Sequence, residues 1–146
     1  MRSYKLLRLS ILSLHFIPDS LKTCFLIDDD EDDREIFQLA LAQIGETFNC
    51  ITSDNCPEAL ENLRNGSLSP DYIFLDLNMP VVSGRDCLIE IRKISRFNDT
   101  PVLIFTTSSI VKDKEDTMSL GATAFITKPS KISTLSILLK EILSVK

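Results

Sequence analysis

The stretch YIFLDLNMPVVSG, residues 72–84, runs from four apolar residues directly into an aspartate and then into a segment marked by Pro80 and Gly84. A short apolar run rich in aromatic and branched side chains predicts a strand that is covered on both faces. Comparable runs occur at 24–27, 48–52, 102–105 and 124–126. Because turn residues bound these runs, the chain reads as a series of short buried strands.

The segments between the strands carry apolar residues at helical spacing and predict helices over 32–45, 57–65, 85–95, 111–120 and 132–143. Strands that alternate with helices indicate a parallel sheet with helical crossovers. Right-handed crossovers leave few arrangements. We therefore expect an α/β fold with a doubly wound five-stranded parallel sheet, flavodoxin-like, in the strand order 2-1-3-4-5.

Composition limits the classes of function. The chain has 146 residues, 44% of them hydrophobic, which is enough for one buried core and leaves no room for a second domain. The net charge of -5 provides no basic surface for DNA or RNA phosphates. We therefore expect no direct binding of nucleic acid.

The N-terminal residues 1–21 combine basic and apolar residues, as signal peptides and membrane-surface helices do. Ser10, Ser13 and His15 interrupt the apolar run, which is too short to span a bilayer and is followed by no small-residue cleavage site. We expect neither export nor a membrane anchor. Residues 1–21 read as a leader, either a packing helix or an unstructured segment, and residues 22–146 as the folded domain.

The four cysteines, Cys24, Cys50, Cys56 and Cys87, form no CxxC pair and are accompanied by a single histidine, so zinc-ligand spacing is absent. We expect them to be reduced, mostly buried side chains that behave as small hydrophobic residues. A cytoplasmic location is the default that follows.

Chemically useful groups follow four of the predicted strands: Asp28 and Asp29 after the first, Asp76 after the third, Thr106 after the fourth and Lys128 after the fifth. The carboxyl ends of parallel strands meet at one edge of a sheet, so these side chains should converge. Clustered carboxylates need a cation, and oxygen ligands beside a phosphoryl group suit Mg²⁺. Asp76 is the best-placed nucleophile for a phosphoryl group, with Thr106 and Lys128 holding its oxygens.

Each of these residues also has a plain structural interpretation. The acidic run from Asp28 to Asp33 would favour a helix start at the positive end of its dipole. An EF-hand loop begun at Asp28 fails, because Asp33 stands where Gly is required and Leu39 where Glu is required. Asp76 could cap a turn, Thr106 could be a satisfied hydroxyl and Lys128 a solvated charge. The combination, rather than any single residue, points to function.

Four blocks, FLIDD (25–29), YIFLDLNMPVVSG (72–84), PVLIFTT (101–107) and GATAFITKP (121–129), resemble the motifs of two-component response-regulator receiver domains. They stand in the family's order. The resemblance implies a phosphorylation switch with Asp76 as phosphoacceptor and Asp28 and Asp29 as the acidic pair. It also implies further roles by position: metal ligation by Asp29, Asp76 and the Asn78 backbone carbonyl, a switch hydroxyl on Thr106, phosphoryl contact by Lys128, and a switching aromatic ring at Phe125.

By the same resemblance, the phosphoryl donor would be a sensor histidine kinase or a phosphotransfer protein. The downstream partner would be an unknown protein, without an attached DNA-binding output domain, and a homodimer stays open. Two alternatives compete. Asp28-x-Asp30 resembles haloacid-dehalogenase-type phosphatases, although Asp32 stands where that family has Thr or Val. The other is a binding module that works without phosphorylation, which would usually lack one of the reacting groups.

Overall fold

The computed structural model describes residues 21–45 and 47–144. The predicted leader, residues 1–21, lies outside the described residues apart from Leu21. The helices and strands alternate through the whole described range, as the sequence predicts. In chain order they are β1 (Lys22–Ile27), α1 (Glu31–Ala42), β2 (Phe48–Ser53), α2 (Cys56–Arg64), β3 (Tyr72–Leu75), α3 (Gly84–Arg92), a 3-10 turn (Ser95–Phe97), β4 (Val102–Thr106), α4 (Val111–Ser119), β5 (Ala124–Thr127) and α5 (Ile132–Ser144).

The five strands form one parallel sheet in the order β2-β1-β3-β4-β5. The predicted fold class and strand order are therefore confirmed. The chain moves from β1 outward to β2 and then returns across β1 to β3. This reversal of direction places β1 and β3 side by side, and in open α/β sheets the crevice at such a point binds ligands.

Side chains on the strands alternate between the two faces of the sheet and build two apolar cores. Phe25 and Ile27 of β1 belong to the core under α2 and α3. Cys24 and Leu26 of the same strand belong to the core under α1 and α5. Burial of each such large side chain contributes roughly 1.5–3 kcal/mol. Together the two cores fix the strand ends that carry the chemistry.

Side-chain caps set where three helices begin. Asp30, Asn55 and Ser83 each accept a hydrogen bond from the amide three residues later, at the starts of α1, α2 and α3. The helix predicted over 85–95 ends earlier, at Arg92, because Ile94 is extended and a separate 3-10 turn follows it. This turn directs the chain back towards β4.

The expectation that all four cysteines are reduced is wrong for two of them. Cys56 and Cys87 form a disulfide, with their Cα atoms 6.0 Å apart. Cys56 opens α2 and Cys87 lies in the first turns of α3, and both are buried where these helices share one core. Spacing along the chain cannot reveal this pair, because packing of the two helices brings it together. Cys24 and Cys50 are free thiols.

No described helix is long and apolar enough to cross a membrane.

Candidate functional site

Backbone hydrogen bonds continue past the strand ends and hold the candidate residues at one edge of the sheet. The Asp28 amide donates to the Ser53 carbonyl and the Asp76 amide to the Ile27 carbonyl, each over 3.0 Å. The Lys128 amide donates to the Thr106 carbonyl over 2.7 Å. Main-chain pairing therefore fixes the positions from which these side chains extend, as the sequence predicts for carboxyl ends of parallel strands.

Asp28, Asp29 and Asp76 each bring a carboxylate oxygen to a common point, with the three oxygens within 4.8 Å of one another. Asp28 and Asp76 are buried, whereas Asp29 is exposed. Oxygen donors on one open side suit Mg²⁺, which keeps several of its water ligands. These three carboxylates could therefore hold a divalent cation.

Lys128 supplies the positive charge at this site, and its side chain is only 9% exposed. Its ammonium nitrogen lies 2.8 Å from Asp28 Oδ2, 2.7 Å from Asp33 Oδ2 and 3.8 Å from Asp76 Oδ1. The same nitrogen lies 5.6 Å from the centroid of the Phe105 ring, within the range of a cation–π contact. Lys128 is thus hydrogen-bonded to two carboxylates and stands next to the third.

Asp33 is a member of the site that sequence reasoning missed. In the sequence it is one of six consecutive acidic residues, where helix capping is a sufficient interpretation. In the structure, Asp30 caps α1, and its carboxylate accepts a hydrogen bond from the Asp33 amide over 3.0 Å. The Asp33 side chain is therefore free to reach Lys128. Its position in the first turn of α1, on the side facing the sheet, is the only signal in the sequence.

Burial opposes ionisation of both inner carboxylates. Burial raises the pKa of Asp76 to about 6, against a lowering influence of Lys128, and the charge of Asp28 raises it further. Burial also raises the pKa of Asp28, although hydrogen bonds from Lys128 and from the Asp30 amide oppose it. Burial disfavours the charge of Lys128, but Asp28 and Asp33 outweigh this effect and raise its pKa. The positively charged Lys128 thus lies among carboxylates whose negative charges repel one another.

Thr106, Phe125 and Asn78 lie around this centre with different exposure. Thr106 is fully buried at the end of β4, and its hydroxyl accepts from the Ser108 amide over 3.3 Å. Phe125 on β5 is half-buried and packs against the core under α2 and α3. Asn78 is exposed, two residues after Asp76. The structure brings Thr106 to the same sheet edge as Asp76, and it leaves Phe125 one strand further out.

The loop after Asp76 turns sharply, and its conformation depends on two residues. The Gly84 amide donates to the Leu77 carbonyl over 2.8 Å, and a Cβ at Gly84 would lie 2.1 Å from the Asp76 carbonyl oxygen. Val81 has φ of 70° and a side chain that is 95% exposed. The Val82 amide closes a three-residue γ-turn around it by donating to the Pro80 carbonyl.

Residues 24–140 match the family model of the response regulator receiver domain. The chain belongs to this family. Receiver domains act as phosphoacceptor switches, bind Mg²⁺ at an acidic pocket and interact with histidine kinases or phosphotransfer proteins. The match covers β2 to β5 completely, β1 from Cys24 onward and every residue of the site described above, so the phosphatase alternative loses its support.

The curated relatives are longer proteins that are similar to this chain over part of their length. The chain is 35% identical over 103 residues to the sensor histidine kinase CheAY of Helicobacter pylori, covering 70% of this chain and 13% of that protein. It is 36% identical over 104 residues to the cell cycle transcriptional regulator CtrA of Caulobacter vibrioides, covering 71% of this chain and 42% of that protein. The chain therefore spans less than half the length of these relatives.

Solved structures of receiver domains match it over most of their own length. The phosphorylated cyanobacterial phytochrome response regulator RcpA has 32% identity and a TM-score of 0.76, covering 83% of this chain and 90% of that chain. The Mn²⁺-bound response regulator Rcp1 has 26% identity and a TM-score of 0.75, covering 85% and 93%. The chemotaxis protein CheY4 of Vibrio cholerae has 28% identity and a TM-score of 0.73, covering 86% and 98%.

Proposed function

We propose that this receiver domain is a Mg²⁺-dependent phosphorylation switch in which Asp76 accepts a phosphoryl group from a sensor histidine kinase or a phosphotransfer protein. The observation that carries the proposal is the meeting of Asp28, Asp29 and Asp76 within 4.8 Å, beside a lysine nitrogen 3.8 Å from Asp76. Phosphoryl transfer to a carboxylate needs positive charge near the phosphoryl oxygens. A divalent cation and the Lys128 ammonium group would supply that charge beside Asp76.

In the proposed reaction, a carboxylate oxygen of Asp76 attacks the phosphorus of a phosphohistidine. The new O–P bond forms as the N–P bond breaks, and the electron pair of that bond stays on the imidazole nitrogen of the donor. Mg²⁺, held by Asp28, Asp29, Asp76 and the Asn78 backbone carbonyl, would neutralise charge on the phosphoryl oxygens. Lys128 and the Thr106 hydroxyl would contact the remaining oxygens.

Two related structures support parts of this proposal. The RcpA structure is of the phosphorylated protein, which is 32% identical to this chain over the aligned region. The Rcp1 structure is of the Mn²⁺-bound form, and Mn²⁺ prefers the same oxygen ligands as Mg²⁺. Because all the reacting side chains are present here, we extend phosphorylation and divalent-cation binding to this chain.

The consequence of phosphorylation would be a shift between two populations of the receiver. Contacts from Thr106 and Lys128 to the phosphoryl group exist only in the phosphorylated state, so they bias the equilibrium between the two. Phe125, half-buried beside β4, is the proposed reporter of the shift at the surface near β5. A downstream protein would bind that surface, and a homodimer is a further outcome to measure.

The extent and location of the protein are also part of this proposal. We assign residues 22–146 to the receiver domain and residues 1–21 to a leader of unknown role. We keep the cytoplasm as the location, because the proposed donor is a phosphorylated kinase or carrier protein inside the cell. The cysteines no longer support this location, since disulfides are rare in the cytoplasm. Alkylation of thiols at the moment of cell lysis measures how much of the Cys56–Cys87 pair is oxidised.

The test is incubation with acetyl phosphate and Mg²⁺, followed by measurement of the intact mass. We expect native protein to gain one phosphoryl group and Asp76→Asn to gain none. Asp86→Asn, an exposed aspartate in the first turn of α3, is the matched control and should react like native protein. Phosphoryl gain by Asp76→Asn at the native rate would overturn the assignment.

A further inference from the structure

Asp33 and Lys128 form an ion pair across the rim of the acidic centre, and it is separate from the cation site. The Lys128 nitrogen lies 2.7 Å from Asp33 Oδ2, although 95 residues separate the two along the chain. Asp33 is not one of the three carboxylates that meet at the metal position. Among the described residues, its side chain has no other hydrogen-bonding partner than Lys128. The contact therefore holds the lysine side chain in place, and Asp33 takes no part in the cluster that could bind a cation.

The backbone of Asp33 is fixed, so its carboxylate stands at a defined place. Its amide donates to the Asp30 cap over 3.0 Å, and it lies in the first turn of α1. The pair is also partly shielded from water, with the Lys128 side chain 9% exposed and the Asp33 side chain 32% exposed. Such a pair is stronger than one between two fully solvated side chains.

Three carboxylates surround the Lys128 ammonium group at unequal distances. An ammonium group has three donors, and here two of them are engaged at hydrogen-bonding distance by Asp28 and Asp33. Asp76, at 3.8 Å, is beyond that distance. A phosphoryl group on Asp76 would add close to two negative charges and three acceptor oxygens. Their charge would draw the ammonium group towards Asp76, at the expense of its contacts with Asp28 and Asp33.

We propose that Asp33 is a positioning residue that holds Lys128 on the α1 side of the centre until Asp76 carries a phosphoryl group. This inference rests on the proposed function. The Asp33–Lys128 contact belongs to the unphosphorylated state, and the Lys128–phosphoryl contact belongs to the phosphorylated state. Asp33 therefore biases the equilibrium towards the unphosphorylated conformation, because a contact made in only one state favours that state.

The test uses beryllofluoride, a non-covalent mimic of the phosphoryl group, with the complete chain at saturating Mg²⁺. We expect Asp33→Asn to bind beryllofluoride roughly three- to tenfold more tightly than native protein, because Asp33 no longer competes for Lys128. A tenfold change corresponds to about 1.4 kcal/mol. Asp33→Glu keeps the carboxylate and should return most of the way to the native affinity. Asp32→Asn makes the same charge change at an exposed neighbouring position and should bind like native protein.

A Lys128→Met background separates positioning from a general effect of charge. If Asp33 acts through Lys128, Asp33→Asn should change the affinity of Lys128→Met by less than twofold. Native or weaker affinity in Asp33→Asn, an equal gain in Asp32→Asn, or a full gain retained in Lys128→Met would each overturn the inference. These results remain distinct from failure of the proposed function, in which native protein itself would not bind beryllofluoride.

Discussion

At the scale of single residues, Asp76 is a carboxylate whose surroundings oppose its charge before any cation binds. Its pKa is raised to about 6, first by burial, so the folded protein holds this proton more tightly than the unfolded chain does. A raised carboxyl pKa contributes stability at low pH, and this contribution is lost as pH rises from the unfolded value towards 6. We expect Asp76→Asn in EDTA to raise the free energy of unfolding by about 1–3 kcal/mol at pH 8.

The gain in stability from Asp76→Asn should depend on pH. Well below pH 4 Asp76 is protonated in both states, and at pH 4 it is about half protonated in the unfolded chain and protonated in the folded protein, so the gain from Asp76→Asn should be much smaller at pH 4 than at pH 8. Urea unfolding at pH 4 and pH 8 measures both values. A gain of equal size at the two pH values would show that something other than the charge of Asp76 is responsible.

Val81 is a second residue in an unfavourable position, because a β-branched side chain rarely adopts a positive φ. Its φ is 70° and its side chain is almost fully exposed, so little packing offsets the strain. We expect Val81→Gly to raise the free energy of unfolding by about 1 kcal/mol. Val82→Gly is the comparison, because Val82 packs against the core and its removal should destabilise. A stability loss in Val81→Gly would mean that the side chain makes contacts that outweigh the strain.

The sequence predicts some residues of the site much better than others. Asp28 and Asp76 directly follow buried strands and Lys128 directly follows the half-buried β5, so the rule for parallel sheets places them at one edge. Asp33 follows no strand and lies in an acidic run with several equivalent members. Its pairing with Lys128 depends on the rotation of α1 over the sheet, which the sequence does not specify at the level of single side chains.

At the scale of elements, the junction between β3 and α3 depends on the close approach of Gly84 to the backbone of Asp76. A Cβ at Gly84 would lie 2.1 Å from the Asp76 carbonyl oxygen and 2.6 Å from the Leu77 Cα, so the loop must move. We expect Gly84→Ala to lower the free energy of unfolding by about 2–4 kcal/mol and to displace Asp76.

Gly66→Ala provides the comparison for Gly84→Ala, because a Cβ there meets nothing within 4 Å and only its φ of +82° is unfavourable. The loss in Gly66→Ala should be about 1 kcal/mol. Thermal or urea unfolding of both variants gives the two values. Equal losses would show that the approach of Gly84 to Asp76 adds nothing.

The disulfide joins the starts of α2 and α3 across 31 residues of chain. A cross-link of that span restricts the unfolded chain by roughly 3–4 kcal/mol in the chain-entropy treatment. We expect Cys56→Ser/Cys87→Ser to lose stability by about this amount, and thiol titration of unfolded native protein to find only Cys24 and Cys50. Four reactive thiols in protein unfolded without reductant would contradict the bond.

Elements were predicted most reliably where the apolar runs are continuous. The strand at 72–75 is found as predicted, and β1 and β4 extend their predicted ranges by one or two residues. The end of α3 and the disulfide were not predicted. Both depend on how α2 and α3 pack on the sheet, and the apolar spacing within either helix does not encode their relative position.

At the scale of the whole molecule, the carboxylates and the groups proposed to contact the phosphoryl oxygens come from different strands of the sheet. The ends of β1 and β3 carry the three carboxylates, whereas the ends of β4 and β5 lead to Thr106 and Lys128. A phosphoryl group on Asp76 would connect these parts. The strand order could be predicted because the rules for crossovers leave few choices. The surface that binds a partner could not be predicted, because it depends on side chains of this chain and of the partner.

The central claim is that Asp76, and no other carboxylate of the centre, accepts the phosphoryl group with Mg²⁺ bound. Borohydride reduces an acyl phosphate of aspartate to homoserine, so peptide mass spectrometry after reaction with acetyl phosphate locates the acceptor directly. The predicted result is homoserine at position 76 alone, formed with Mg²⁺ and absent in EDTA. Homoserine at position 28 or 29, or equal formation at position 76 in EDTA, would contradict the claim.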